Sequence, residues 1–311
     1  MRKRFRILLA IFLMAIVGGI AWHYLSPSEP EPVYEGKTLT QLLESYFRSP
    51  TPEAMAKTME AVPKMGTNAL PTLIRMLQAK DSPLKLKLIG LANKQSLIKI
   101  AHIQADEYHQ LGAYGCSLLK EQAAPAIPAL AELFQTSPWG LTANALVATG
   151  PSGVTALVGC LTNKNHDLRL SAIGAMSGIG IQRHMFPNLP QEQKASLDLE
   201  AKIAVSALIK LLEDEDDSIR GATATALGQF DREADIIVPL LIARLQQDLR
   251  SGEAPISEID ALGEFHDAAE AAIPTLLIAL TNSSPDIQSA AATALYQISP
   301  TAAANAGIKM E

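Results

Sequence analysis

The sequence predicts an all-α chain: a solenoid of about seven to eight stacked helical hairpins, preceded by one N-terminal transmembrane helix. Three observations predict it. A two-helix pattern recurs at a spacing near 30 residues from about residue 38 to 299. Each copy places apolar or small side chains at helical spacing. Residues 7–25 carry no charge and follow a basic tip. A unit of this size cannot bury its apolar face alone, so neighbouring units must stack to make a continuous core.

The clearest copy lies at 216–241. Ile219, Ala222, Ala226, Leu227 and Phe230 recur at roughly 3.6 residues and make one helical face. Asp217 stands ahead of them as an N-cap, its carboxylate able to accept from free first-turn N–H groups. A second helix follows at Ile236, Ile237, Val238, Pro239, Leu240 and Leu241, with the proline near its start or at a bend. Related endings recur at Ala175-Met176, Ala261-Leu262, Ala294-Leu295, Ala145-Leu146 and, more weakly, Ala61-Val62. The other helix recurs as Ala69-Leu70-Pro71, Ala126-Ile127-Pro128 and Ala272-Ile273-Pro274.

With the Ala-Leu pair as ruler, its second position falls at Val62, Leu91, Leu146, Met176, Leu227, Leu262 and Leu295, giving steps of 29, 55, 30, 51, 35 and 33. The step of 55 holds a degenerate pair around 96–119. The step of 51 holds one repeat plus an insertion of about 20 residues, 181–200.

The run Asp217, Ile219, Arg220, Ala226, Leu227, Gly228 and then Pro239, with its counterparts, resembles HEAT repeats, especially the short HEAT-like class named from phycobilin lyases. The resemblance implies a right-handed α-solenoid. It also implies that the turn acid and the following basic residue orient the hairpin and tie neighbouring repeats, a role carried to Asp167 with Arg169 and to Asp217 with Arg220. Gln288 replaces the basic residue after Asp286. The resemblance concerns the repeat and implies no bilin site.

In chain order, Arg2, Lys3, Arg4 and Arg6 precede the 19 uncharged residues 7–25. That length suits the hydrocarbon core of a bilayer, and the basic tip holds the N-terminus in the cytoplasm. The expected arrangement is a single-pass signal-anchor with the solenoid on the outer, periplasmic or extracytoplasmic side. Gly19-Ile20-Ala21 keeps open the rival of a cleaved signal peptide, which exports the same domain. Residues 26–37, rich in Pro and Glu, read as an extended solvated linker. Thr38 or Thr40 then caps a helix with Leu39, Leu42, Leu43, Tyr46 and Phe47 on its apolar face. The helix at Pro285–Ile298 ends the array, and 300–311 is a short loose tail.

The net charge of −6 falls to −10 without the four basic residues of the tip. That argues against nucleic acid, whose affinity comes from Lys and Arg neutralising phosphates, and against the DNA-gripping members of the resembled family. No cofactor is expected. Cys116 and Cys160 read as small apolar fillers rather than a disulfide. His102, Asp106 and His109 would share a face of a continuous helix and suit Zn²⁺, but a break between two helices is expected near Ala105, so they read as polar residues of a solvated face rather than a metal site. The acidic run 213–217 lacks the alternation and glycine of an EF-hand loop and reads as a solvated turn. The pairs His166-Asp167 and His266-Asp267 have no assignable nucleophile.

The insertion is the departure that points to function. Arg183, His184, Met185, Phe186 and Leu189 are the candidate partner contact, with a short extra helix at 191–197. Stacked hairpins expose a row of equivalent helices, so the expected function is a non-catalytic scaffold for a protein partner at the outer face of the membrane. An enzyme site near the insertion and a plain structural spacer are the alternatives.

Overall fold

A computed structural model describes residues 30–308, apart from 49, 84–85, 88, 91–102 and 139. The chain begins with a small β-hairpin, β1 (Val33–Tyr34) and β2 (Lys37–Thr38), antiparallel. Glu35 and Gly36 make its turn with φ of 47° and 77°, the positive pair that suits the twist of a two-residue hairpin. The hairpin is tied down: the Tyr34 hydroxyl donates to Glu60 at 3.2 Å, and Glu31 accepts from the Thr40 hydroxyl at 2.9 Å. The expected solvated linker therefore ends earlier than predicted, because 31–38 finds hydrogen-bond partners on the first two helices.

The α-helices with described bounds are α1 (Leu39–Arg48), α2 (Pro52–Met65), α3 (Leu70–Leu77), α4 (Ala105–Leu119), α5 (Ile127–Thr136), α6 (Gly140–Ala148), α7 (Pro151–Val158), α8 (His166–Met185), α9 (Gln191–Leu208), α10 (Asp217–Leu227), α11 (Ala234–Ser251), α12 (Ile256–Glu264), α13 (Ile273–Ala279), α14 (Pro285–Ile298) and α15 (Pro300–Asn305); residues 83, 86–87 and 89–90 are helical too, and short 3-10 turns link several of these helices. They form two rows. Helices α4, α6, α8, α10, α12 and α14 pack side by side, while α5, α7 and α9 and then α11 and α13 make the second row behind them. The core runs unbroken between the rows, from Leu39, Leu42 and Leu43 to Leu295 and Ala303. This is the helical-repeat solenoid the periodicity predicts.

Local chemistry explains the elements. Thr38 and Gln41 cap α1 reciprocally: the Thr38 N–H donates to Gln41 Oε1 at 3.0 Å, and the Gln41 N–H to Thr38 Oγ1 at 3.3 Å. Pro71, Pro128 and Pro274 each sit in the first turn of their helix, where a missing N–H costs nothing. The N-cap of α10 lies one residue earlier than expected. Asp216, not Asp217, accepts from Ser218, and Asn165 accepts from Asp167 and Leu168. Asp217 is instead the first helical residue and is free to pair with Arg220.

A shared turn closes α2, α4 and α6. Gly66 follows α2 at φ 59°, ψ −143°, and Gly150 follows α6 at φ 82°, ψ −160°. Lys120 holds the same place after α4 at φ 54°, ψ −134°, a region that is nearly glycine's alone. Lys120→Gly is expected to raise stability by about 1 kcal/mol, since relieved strain exceeds the added chain entropy. Urea denaturation beside the wild type checks this. The alignment of turns also sets Cys116 at the ruler position held by Val62, for both carbonyls accept the cap N–H. Helix α4 is the second half of the degenerate pair expected at 96–119; Leu91 and residues 96–102 of its first half lie outside the described residues.

The insertion is not an inserted loop. Helix α8 runs on to Met185 and α9 starts at Gln191, so 181–200 lengthens both arms of one hairpin. The expected short helix at 191–197 is the first part of the 18-residue α9. Residues 300–308 of the tail are packed too: α15 packs on α14, Ala303 is buried, and Ile308 lies against the core. No helix among the described residues is long and apolar enough to cross a membrane. The segment 7–25, to which that expectation was assigned, lies outside the described residues.

Candidate functional site

The long hairpin α8–α9 separates the five candidate contact residues. Arg183 is 6% exposed and turns inward, pairing with Asp198 on α9 at 3.1 Å and with Glu233 ahead of α11 at 2.7 Å. Leu189 packs against the core. Met185 and Phe186 stay outside, 66% and 50% exposed, with Ile181 one turn before Met185 also exposed. His184 lies at the surface, 3.6 Å from Asp231. The hairpin tip thus offers an apolar corner, and Arg183 fixes its base.

Charged side chains link successive repeats along the first row. Arg169, near the start of α8, pairs with Asp214 in the turn before α10. Arg220 repeats this one unit later, reaching Glu253 in the turn before α12 at 2.7 Å while also pairing with Asp217. His166 adds a contact to Asp216 at 2.8 Å. The basic residues do tie repeats, but across the turn ahead rather than to the acid beside them, except at Asp217.

These partners account for the acidic run. Asp214 is pushed up by partial burial, but the Arg169 guanidinium and the Asp216 N–H outweigh this and hold its carboxyl below the usual range. Arg169, Lys210, Glu213, Asp214, Glu215 and Asp216 line an open concavity there, and a second open concavity lies beside the β-hairpin at Tyr34, Lys64 and Met65.

Three buried acids escaped the sequence reading. Arg244 and Asp248 face each other inside α11, Nε to Oδ2 at 3.0 Å, and Glu253 accepts from Arg244 at 3.3 Å and from Arg220 at 2.7 Å. Their four-residue spacing on one helix was the available signal. Glu258 is buried at the start of α12, and burial pushes its carboxyl up. Glu200 is buried on α9, and its carboxyl is also pushed up by burial, with the Glu121 charge adding to the shift.

The remaining candidates are scattered. His109 Nε2 lies 2.8 Å from the Ala79 carbonyl and 3.9 Å, through Nδ1, from Asp106, while His102 is outside the described residues. Among the described residues no three His, Cys, Asp or Glu side chains are arranged to hold a metal. His266 sits at φ 48° and faces the Gln297 carbonyl at 3.4 Å. Cys116 and Cys160 are both buried free thiols, and desolvation pushes Cys116 up to about 12.

No family model and no curated protein matches the chain. Among solved structures it is similar to two engineered proteins, each 17% identical. One match covers 86% of this chain and 82% of the other with a TM-score of 0.41, and the second covers 84% and 96% with 0.37. It is also similar to a designed armadillo repeat protein in complex with the peptide (KR)4, 15% identical, covering 84% of this chain and all of that one with a TM-score of 0.36.

Proposed function

We propose that the protein is a non-catalytic scaffold of HEAT-like repeats that binds a protein partner at the outer face of the cytoplasmic membrane. The single observation that supports it most is the apolar corner of Ile181, Met185 and Phe186, left uncovered at the tip of the longest hairpin. Large exposed apolar groups grouped at one place are the usual mark of an interaction surface. The stacked rows supply a rigid mount, and Arg183 anchors the tip to two neighbouring elements. The uncharged stretch 7–25 with its basic flank supports attachment to the membrane, with the solenoid outside.

Deleting 181–200 would remove parts of two core helices, so point changes are the sharper test. Tagged full-length protein is crosslinked in its own membranes beside Met185→Ser/Phe186→Ser. A partner recovered with the wild type should fall at least tenfold with the double variant, at unchanged helical signal and melting temperature. Equal recovery from both would remove the corner from the contact, and no recovery from either would count against the scaffold.

A further inference from the structure

The lengthened arm of α9 reaches backwards along the stack. Ser196 and Glu200 lie on the part of α9 added by 181–200, and the Ser196 hydroxyl is 3.0 Å from Glu200 and 2.9 Å from Glu121. Glu121 belongs to the turn Lys120–Ala126 before α5, so the contact bypasses α7. Its methylene chain lies against Gly150, where an added Cβ would meet it at 3.2 Å.

A hydroxyl has one hydrogen, and an ionised carboxylate can only accept. Ser196 therefore donates to one of its two carboxyl neighbours only, and the other contact is a hydrogen bond only if that carboxyl carries a proton. Of the two, Glu200 is 6% exposed and Glu121 is exposed, so the proton belongs on Glu200, where charge is hardest to solvate. With that proton in place the Glu200 O–H donates to Ser196 Oγ and the Ser196 O–H donates to the Glu121 carboxylate; without it Ser196 has one hydrogen for two carboxylates.

We propose that Glu121, Ser196 and Glu200 form a proton-sharing latch that locks α9 to the turn two repeats earlier, and that loss of the Glu200 proton loosens it. Three lysines are close in the chain, Lys120 beside Glu121 and Lys194 and Lys202 on α9, and among the described residues none of them forms an ion pair with Glu121 or Glu200. Helix α7 has no ionisable side chain. On α8, Arg183 is committed to Asp198 and Glu233, and Arg169 to Asp214. On α10, Asp217 and Arg220 pair with each other. After α9, Glu213 pairs with Arg244 and Lys210 lies exposed with the acidic turn. Burial pushes the Glu200 carboxyl up and the nearby Glu121 charge adds to this, together outweighing the Ser196 hydroxyl, which favours the charged form.

The sign follows from linkage. An acid whose folded value lies above its unfolded value contributes most below the unfolded value, and that stability is lost as pH rises through the folded one. The test is thermal and urea unfolding of the full-length chain from pH 4.5 to 8.5 for the wild type, Glu200→Gln and Glu121→Gln. The amide introduced by Glu200→Gln keeps a donor for Ser196 and cannot ionise. Relative to the wild type, Glu200→Gln should gain stability with rising pH, the ratio of unfolding constants changing by up to tenfold per pH unit above the ordinary Glu range. Glu121→Gln removes the repelling charge, so the midpoint of the wild-type change should move to lower pH. A protonated-carboxyl infrared band should vanish in Glu200→Gln alone. A pH-independent difference between wild type and Glu200→Gln would overturn the latch, as would an unmoved midpoint in Glu121→Gln.

Discussion

Arg244→Ala is expected to lower the unfolding free energy by about 3–5 kcal/mol, among the largest effects of any single change in this chain. Arg244 and Asp248 are both buried, and the guanidinium also donates to Glu253. Truncating it strands the Asp248 carboxylate away from water with no cation beside it. The loss comes from that stranded charge rather than from the pair's own attraction, because removing two ions from water nearly cancels the gain of bringing them together. Arg244→Met combined with Asp248→Leu should therefore recover most of the loss. Urea denaturation of both variants checks this. If the double variant is as unstable as Arg244→Ala, packing around α11 and not the orphaned carboxylate sets the cost. Arg220 keeps Glu253 partnered in both variants, and Glu213, the other acid that Arg244 reaches, is exposed to water, so Asp248 is the group at issue.

Gly180→Ala should cost about 3 kcal/mol, with Gly178→Ala as its internal control. At Gly180 an added Cβ would lie 2.2 Å from the Gln229 carbonyl oxygen and 2.7 Å from its carbon. Those are backbone atoms in the turn between α10 and α11 and cannot rotate away. Helix α8 would have to move off the next repeat. Gly178, two residues earlier on the same helix, has nothing within 4 Å of its Cβ position. There the change removes only glycine's extra chain entropy and should stabilise by about 0.5–1 kcal/mol. Opposite signs at two glycines of one helix, read from melting temperatures, would show that close approach of repeats fixes the first. Equal effects would sink that account.

Much of the fold could be read from the chain because repetition multiplies a weak local signal. Helix α14 falls at Pro285–Ile298, where the pattern put it, and Pro71, Pro128 and Pro274 mark three helix starts. Where a feature occurs once, the sequence is ambiguous. Residues 181–200 break the period, and a broken period cannot distinguish an inserted loop from two longer helices. The Pro187 and Pro190 pair suggested a loop, but it occupies only the short link between α8 and α9. Arg183 looked available because charged residues are usually solvated; its burial depends on Asp198 and Glu233, one of them 50 residues away. Glu121 and Glu200 were missed for the same reason, since the serine joining them is 75 residues from the first. The β-hairpin was hidden by composition: proline and glutamate suggest solvated chain, while the two-residue turn at Glu35-Gly36 was a stronger and more local cue.

The two thiols have a use that their burial creates. Cys116 lies in the last turn of α4 and Cys160 follows α7, so they sit in different units of the stack, and both are buried while their units are closed. A stack held by nearest-neighbour contacts can open in pieces. An alkylating reagent can consume each thiol only during such an opening, and the two positions are told apart by mass after digestion. The chain therefore carries a pair of internal clocks, one for its N-terminal units and one for its centre, with no label to engineer.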